Sequence, residues 1–449
     1  MIEPKLLKGF RDYMPDLMAP RQAMIRAIEA TFERHGFLPL MTPALEYAET
    51  LTGKMGEEGD KLLYQFKDHG DRAVALRYDL TVPLARVVAQ HRGEIQLPFR
   101  RYQVAPVWRA DKPQRGRYRE FMQCDADLAG ANSALADAEV LLTGLAVLKA
   151  LGIQDAILHI NHRFVLTGLL IAAGVAEEAQ QFSAIRAIDK LDKIGSGGVR
   201  NELIEQANLT PEQAQTLLDI FADDGLTLET VDDLLVQRAG YEGEKRAHSI
   251  GRLREVVELV SAAGYANLIR FNPTIARGLD YYTGIIYETR LTDTRVANIG
   301  AVMSGGRYDH LVSSFTKEQV PAVGVSLGLD RLLAAMQELS LIPHGLDKVP
   351  VYIAVMDPTL KAAILGIAQT LRTFGLRCEV DVTGGKLGKQ LERAAKRGAT
   401  VCVLAGSDEI AAGGAVVKEL GSGMQHSVLL DEIGPAIAKI LAAAATSPT

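Results

Sequence analysis

The apolar positions of this chain repeat with two periods. In "PRQAMIRAIEATFERHGF", Met24, Ile25, Ile28 and Phe32 recur at helical spacing and predict an amphipathic helix. "GFLPLMTPALE" is extended but broken by Pro39 and Pro43, which fits a sheet edge or an interface better than a central strand. "VALRYDLTVPLARVVAQ" predicts a strand and then a helix starting near Thr81, with Pro83 tolerated in its first turn. Two strand-like runs, "LPFRRYQVAPVWR" and "EFMQCDADLAG", flank the polar loop "ADKPQRGRYR" and predict an antiparallel pair. Residues 175–250 are helical and acidic, and read as an insertion or small helical domain. Strand character returns at "ANLIRFNPTIARGLDYYTGIIYETRL", where "RGLDYYTG" reads as a strand or strand end, and "PAVGVSLGLDRLLAAMQEL" closes the first domain with a helix. From Val351 onward "VYIAVM", "CEVDVT" and "VCVLAG" alternate with helices, an α/β pattern. The expected organisation is a first domain over 1–335 interrupted by 175–250, a linker over 336–349, and a second domain over 350–449.

Composition narrows the class. At 449 residues the chain is too long for one ordinary core. Its apolar fraction of 48% and charged fraction of 23% are those of a soluble globular protein, and no apolar run is long enough to span a membrane. The opening "MIEPKLLKGFRDYMP" lacks the apolar core of a signal peptide. Cys124, Cys378 and Cys402 are scattered without a CxxC, which suggests a reducing compartment, with the cytoplasm as the default, and no structural zinc. A net charge of −6 argues against a general nucleic-acid binder. Its distribution is uneven: from Arg92 to Arg119 there are eight Lys/Arg against two Asp/Glu, whereas Val175 to Gly251 holds seven against fifteen.

The basic stretch is the most informative. No P-loop spacing occurs, and His159 and His162 lie three apart on a predicted strand, facing opposite sides, so no shared metal is expected. If phosphates are handled, arginines must do it. Alternation along the return limb of "VWRADKPQRGRYREF" puts Arg117, Arg119 and Phe121 on one face. Guanidinium groups fit phosphates bidentately and an aromatic ring stacks on a base. An exposed hairpin with salt bridges to Asp111 and Glu120 is the alternative, and both readings stay open on this segment alone.

Several segments together are more specific. "VWRADKPQRGRYREFMQCDADLAG" resembles motif 2 of the class II aminoacyl-tRNA synthetases, in the form found in histidyl-tRNA synthetases. "GFLPLMTPALE" resembles motif 1, with Pro43 as its proline, and "AVGVSLGLDRLL" resembles motif 3, with Arg331 as its arginine. "RGLDYYTG" and "SGGRYDHL" resemble the two histidine-specific motifs, and "RYDLT" also matches. The matches occur in the family's order over nearly the whole chain, including an α/β segment like its anticodon-binding domain.

The resemblance implies an antiparallel sheet with flanking helices, an active site on its open face, and a homodimer formed partly through motif 1. It implies ATP as a substrate, with Mg2+ expected alongside it, and L-histidine and tRNA(His) as partners. Arg109 and Arg277 would flank the α-phosphate from opposite sides, and Arg117 would hold the distal phosphates. Phe121 and Arg331 would sandwich the adenine. Asp79, Thr81 and Gln123 would bind the α-amino group, Asp127 and Tyr282 would read the imidazole, and Tyr281 would line that pocket. Gly305 and Gly306 would permit close backbone approach; a simple turn before a helix is their plainer reading. In "KLGKQLERAAKR", Lys389, Arg393, Lys396 and Arg397 share a helical face and would contact RNA backbone, the alternative being a solvated charged face. The competing function is the catalytically inactive regulatory paralogue associated with ATP phosphoribosyltransferase, which is expected to lack some of these motif residues and the second domain.

Overall fold

The computed structural model describes residues 2–54, 60–113, 116–223, 225–276, 281–343 and 345–446. The chain divides into two compact units, Met1–Tyr13 with Arg21–Ile342, and Met14–Pro20 with Pro343–Thr449.

The first unit is built on a large sheet. Its strands follow in chain order as β1 (Leu38–Pro39), β2 (Leu45–Tyr47), β3 (Gln65–Lys67), β4 (Ala73–Leu76), β5 (Phe99–Trp108), β6 (Glu120–Ala129), β7 (Ala156–His162), β8 (Ile269–Phe271), β9 (Ile285–Leu291), β10 (Met303–Arg307) and β11 (Ala322–Gly328). Strands β2, β4 and β3 make a small antiparallel sheet, and the other eight pair in the order β1-β5-β6-β11-β10-β9-β7-β8. The six central strands are antiparallel, while β1 and β8 add parallel edges. The proline-broken segment is thus an edge strand, where a missing ladder donor does least harm.

One face of this sheet is closed by helices. The amphipathic pattern of Pro15–Arg34 buries Ile28 and Phe32 completely, and Ala134–Ala150 and Leu329–Glu338 join the same core. Of "RGLDYYTG" only Tyr281–Gly284 are described; they lie in the connection ahead of β9, so their side chains are free of sheet alternation. Gly305 and Gly306, conversely, sit inside β10 and not in a turn before a helix.

The acidic insertion is helical, as its composition indicates, and its core is continuous with elements outside it. Leu203 on Leu191–Glu205 and Leu217 on Pro211–Ala222 are fully buried in one cluster with Leu166 and Leu170 of Arg163–Ala172 and with Ile286 of β9.

The second unit has strands β12 (Val351–Ile353), β13 (Cys378–Val380), β14 (Val401–Leu404), β15 (Gly414–Glu419) and β16 (Gln425–Leu429), in the order β13-β12-β14-β15-β16. The first three pair in parallel, as the alternating pattern requires. β15 and β16 form an antiparallel hairpin absent from the expected strand–helix alternation. Its signal was present: "AVVKEL" and "QHSVLL" flank Gly421 and Gly423.

Because the insertion shares its core with the sheet, Leu203→Ala should destabilise the whole first unit by about 2–5 kcal/mol. Trp108, the sole tryptophan, reports on that unit alone, so the urea midpoint of its fluorescence should fall. An unmoved midpoint would mean that the insertion melts separately.

Candidate active site

Residues directly opposite in neighbouring strands point to the same side of a sheet. The register therefore lays polar rows across the open face. One row runs Arg101, Asp127, Gly324, Gly306 and Ile286. Two residues along, another runs Gln103, Asp125, Ser326, Ser304 and Glu288. Gln123 and Phe121 continue the series on β6. A cavity of about 410 Å3 opens above these rows.

Most of the candidate residues border this cavity. Asp79 and Thr81 come from the start of helix Thr81–Gln90, where the Val82 amide donates to Asp79 Oδ1 at 3.1 Å. Tyr281 and Tyr282 pack edge to face with centroids 4.9 Å apart, and the Tyr281 hydroxyl lies 3.5 Å from Asp79 Oδ2. Gln123 donates to Ser326 Oγ at 2.7 Å. Arg109 donates through Nε to the Tyr78 carbonyl at 2.8 Å, and its guanidinium stands 5.2 Å from the Phe121 ring centroid. Arg331 donates to the Ala301 carbonyl at 2.7 Å, and Gly305 completes this part of the lining.

Several candidates make contacts that the sequence did not indicate. Arg119 does not line the cavity with Arg117: β6 begins only at Glu120, so strand alternation does not extend back, and Arg119 turns to the carbonyls of Asp111 and Lys8. Arg117 does line it but is paired bidentately with Asp111, at 2.7 and 3.2 Å, so part of the salt-bridge alternative holds as well. Asp127 is not a lining residue. It accepts from the Tyr308 hydroxyl and lies 2.7 Å from Arg101 Nη2. Arg277 lies outside the described residues. In the second unit, Arg393 bridges to the buried Asp381 at 2.6 Å, Lys396 to Glu392 and Arg397 to Glu379, while Lys389 is exposed.

Two glycines connect Asp127 to the site. A Cβ on Gly324 would fall 1.8 Å from the Asp127 carboxylate, and one on Gly306 would fall 2.9 Å from the Tyr282 ring. Adjacent in the sheet, they clear the floor where these two side chains converge.

The electrostatics were not legible beforehand. Asp79, Asp125 and Asp127 are all at most 2% exposed, and Arg101 is a fully buried guanidinium beside them. Burial, with repulsion from Asp127, raises Asp79 to about 6. Burial and then Asp127 raise Asp125 to about 8, and burial raises Asp127 too. Three buried carboxyls thus share Arg101, with Arg109 acting on Asp79 as well. Asp125 could have been found, since it continues the alternation that links Phe121, Gln123 and Asp127. Asp189 and Lys193, which the insertion contributes to the wall, carry no sequence signal.

Burial and the neighbouring Asp127 hold Asp125 well above its unfolded value of about 3.9. Its stabilising contribution is therefore complete below the unfolded value and is lost as pH rises towards the folded one. Asp125→Asn should raise the thermal midpoint relative to wild type at pH about 8, and the gain should shrink towards pH about 4.5. A gap that does not widen with pH would contradict this.

Comparison with known proteins agrees with this architecture. A family model described as histidyl-tRNA synthetase matches residues 9–332, and one described as an anticodon binding domain matches residues 350–440. The chain is 43% identical to the histidine–tRNA ligase of Rhodopirellula baltica over 97% of each chain. The crystal structure of histidyl-tRNA synthetase from Nostoc sp. PCC 7120 superposes with a TM-score of 0.82 at 33% identity, covering 98% of this chain and 100% of that one. An ATP phosphoribosyltransferase regulatory subunit/histidyl-tRNA synthetase from Bacillus halodurans shares the fold, with a TM-score of 0.70 at 23% identity over 87% of this chain and 96% of its own. Matched by that family model over most of its length, the chain belongs to the histidyl-tRNA synthetase family.

Proposed function

We propose that this protein is an ATP-dependent histidine–tRNA ligase. In the first step a carboxylate oxygen of L-histidine attacks the α-phosphorus of ATP. The bond to the bridging oxygen breaks, and pyrophosphate leaves with its electron pair. In the second step a ribose hydroxyl at the 3′ end of tRNA(His) attacks the activated carbonyl, releasing AMP. The observation that carries the reading is the meeting, on one sheet face, of a cluster of buried carboxyls with an arginine-lined cavity. The carboxyls suit an α-ammonium group and the arginines suit a triphosphate.

Asp79, Thr81 and Gln123 are assigned to the α-ammonium group. The raised value of Asp79 reports burial without a sufficient counter-charge, which an ammonium would supply. Asp127 and Tyr282 are assigned to the imidazole, and Tyr281 to the pocket wall. Arg109 is assigned to the α-phosphate, where two anions must meet and fixed positive charge lowers the barrier. Arg117 would exchange Asp111 for the distal phosphates, with adenine between Phe121 and Arg331. Mg2+ would arrive with ATP, held mainly by phosphates and water, which asks no dedicated cage of the protein. Arg277 is assigned to the α-phosphate on the resemblance alone.

The second unit is assigned to the anticodon, with Lys389 the basic residue least engaged by neighbours among the four candidates. Homodimerisation through the β1 region is supported by its exposed apolar side chains: Leu38 is 64% and Met41 83% exposed at a sheet edge. Cytoplasmic localisation is consistent with free Cys124, Cys378 and Cys402 and with the lack, among the described residues, of a helix able to cross a membrane. The regulatory paralogue is disfavoured, because this chain keeps Arg109, Arg331 and the second unit, and its curated relatives are ligases.

Purified protein should catalyse histidine-dependent exchange of pyrophosphate into ATP and then charge tRNA(His). No exchange with histidine would refute the reading. Asp127→Asn tests the pocket: it preserves volume, whereas Asp127→Ala would strand buried Arg101. Loss of a charged hydrogen bond, about 1.5–3 kcal/mol, should raise KM for histidine by roughly 10- to 100-fold while KM for ATP stays within about threefold. Equal changes in both would remove Asp127 from ring recognition.

A further inference from the structure

The segment ahead of the first helix packs against Tyr118, Arg119 and Asp330, next to residues that line the cavity. Arg11 donates through Nη1 to the Tyr118 hydroxyl at 2.8 Å and through Nη2 to Asp330 Oδ1 at 3.2 Å. Its guanidinium lies 4.2 Å from the ring centroids of both Tyr13 and Tyr118, so it is held against two aromatic rings. Tyr13 and Arg21 also donate to Asp330, whose other oxygen accepts from the Met122 amide at 3.0 Å. Burial and the Asp330 carboxylate raise the Tyr13 hydroxyl to about 12, which keeps it a donor. One residue earlier than Tyr118 on the same limb is Arg117. Met122 lies between Phe121 and Gln123, and Asp330 immediately precedes Arg331.

The limb itself depends on this segment. Upstream of β6, the Arg119 amide donates to the Gly9 carbonyl at 2.9 Å and its guanidinium reaches the Lys8 carbonyl. Gly9 has φ +89°, and a Cβ there would fall 2.8 Å from Arg119 Cγ, so glycine is what lets the two backbones meet.

We propose that Arg11 is a positioning residue for nucleotide binding, fixing the limb that carries Arg117 and Phe121 against the helix that carries Arg331. The inference rests on the assignment of that cavity to ATP. The side-chain contacts of Arg11 are with Tyr13, Tyr118 and Asp330 and with none of the residues assigned to histidine, so its effect should fall mainly on ATP. A misplacement of about 1 Å in a binding group can alter rates a hundredfold. Lysine would keep the charge beside Asp330 but not the planar fork that reaches Tyr118 and Asp330 while lying against both rings.

The test is steady-state pyrophosphate exchange by full-length wild type, Arg11→Ala and Arg11→Lys, beside Trp108 fluorescence melts. Asp330 retains Arg21, Tyr13 and the Met122 amide, so Arg11→Ala leaves no unpaired buried charge. The expected result is KM for ATP raised about tenfold or more in Arg11→Ala, a smaller rise in Arg11→Lys, and KM for histidine within about twofold in both. Unchanged KM for ATP, or equal rises for both substrates with an earlier melt, overturns the inference and leaves Arg11 a structural clasp. If Arg11→Ala does not fold, the same split read in Arg11→Lys decides. No exchange by wild type would refute the ligase assignment, and this inference with it.

Discussion

One buried guanidinium organises the active face. Arg101 on β5 is fully buried, donates to the Leu80 carbonyl at 2.9 Å and lies 2.7 Å from Asp127 on β6. It thereby joins two strands of the floor to the turn that carries Asp79 and Thr81. A buried charge must be paired to be tolerated, and a buried pair is strongly destabilised when one partner is lost. Arg101 therefore constrains the strand register, the start of the following helix and the place of the Asp127 carboxylate together.

That constraint leaves a charge deficit with a use. Arg101 compensates Asp127 directly, while Asp79 and Asp125 remain buried with their values raised. A site built only for stability would avoid this arrangement. A site for an amino acid gains from it, because the incoming ammonium is attracted into a region whose fixed dipoles and charges are already oriented. Further along the same strands, Arg109, Arg117 and Arg331 border the cavity. The neutral Gln123 and Ser326 lie between them and the buried carboxyls of β6.

The peripheral elements reinforce this division of labour. The insertion shares its buried core with Ile286 and also contributes Asp189 and Lys193 to the cavity wall, so it belongs physically to the synthetase sheet. In the second unit, much of the basic helix face is engaged internally. Arg393 compensates buried Asp381, and Gln390, also buried, bridges Val355 and Gly385. Part of what a charge pattern offers to RNA is thus already committed to holding a loop against a strand.

Much of the architecture was legible in the sequence, because local periodicity is set by which positions can face a core. Ile28 and Phe32 marked one helix, the apolar runs around the basic loop marked β5 and β6, and the ordered motifs supplied the family and most of the cavity's lining. The hairpin β15–β16 was written there too, in two apolar runs flanking glycines. What the sequence could not give is where side chains from distant segments meet. Arg11 and Asp330 are 319 residues apart, and nothing local to either predicts their contact. Asp127 and Tyr282 converge only because Gly324 and Gly306 fall side by side in antiparallel register. Likewise Arg101 became the buried counter-ion, and Arg119 left the cavity, by virtue of strand pairing and strand ends. Those outcomes depend on register and burial, which arise from the packing of the whole unit and not from any one segment.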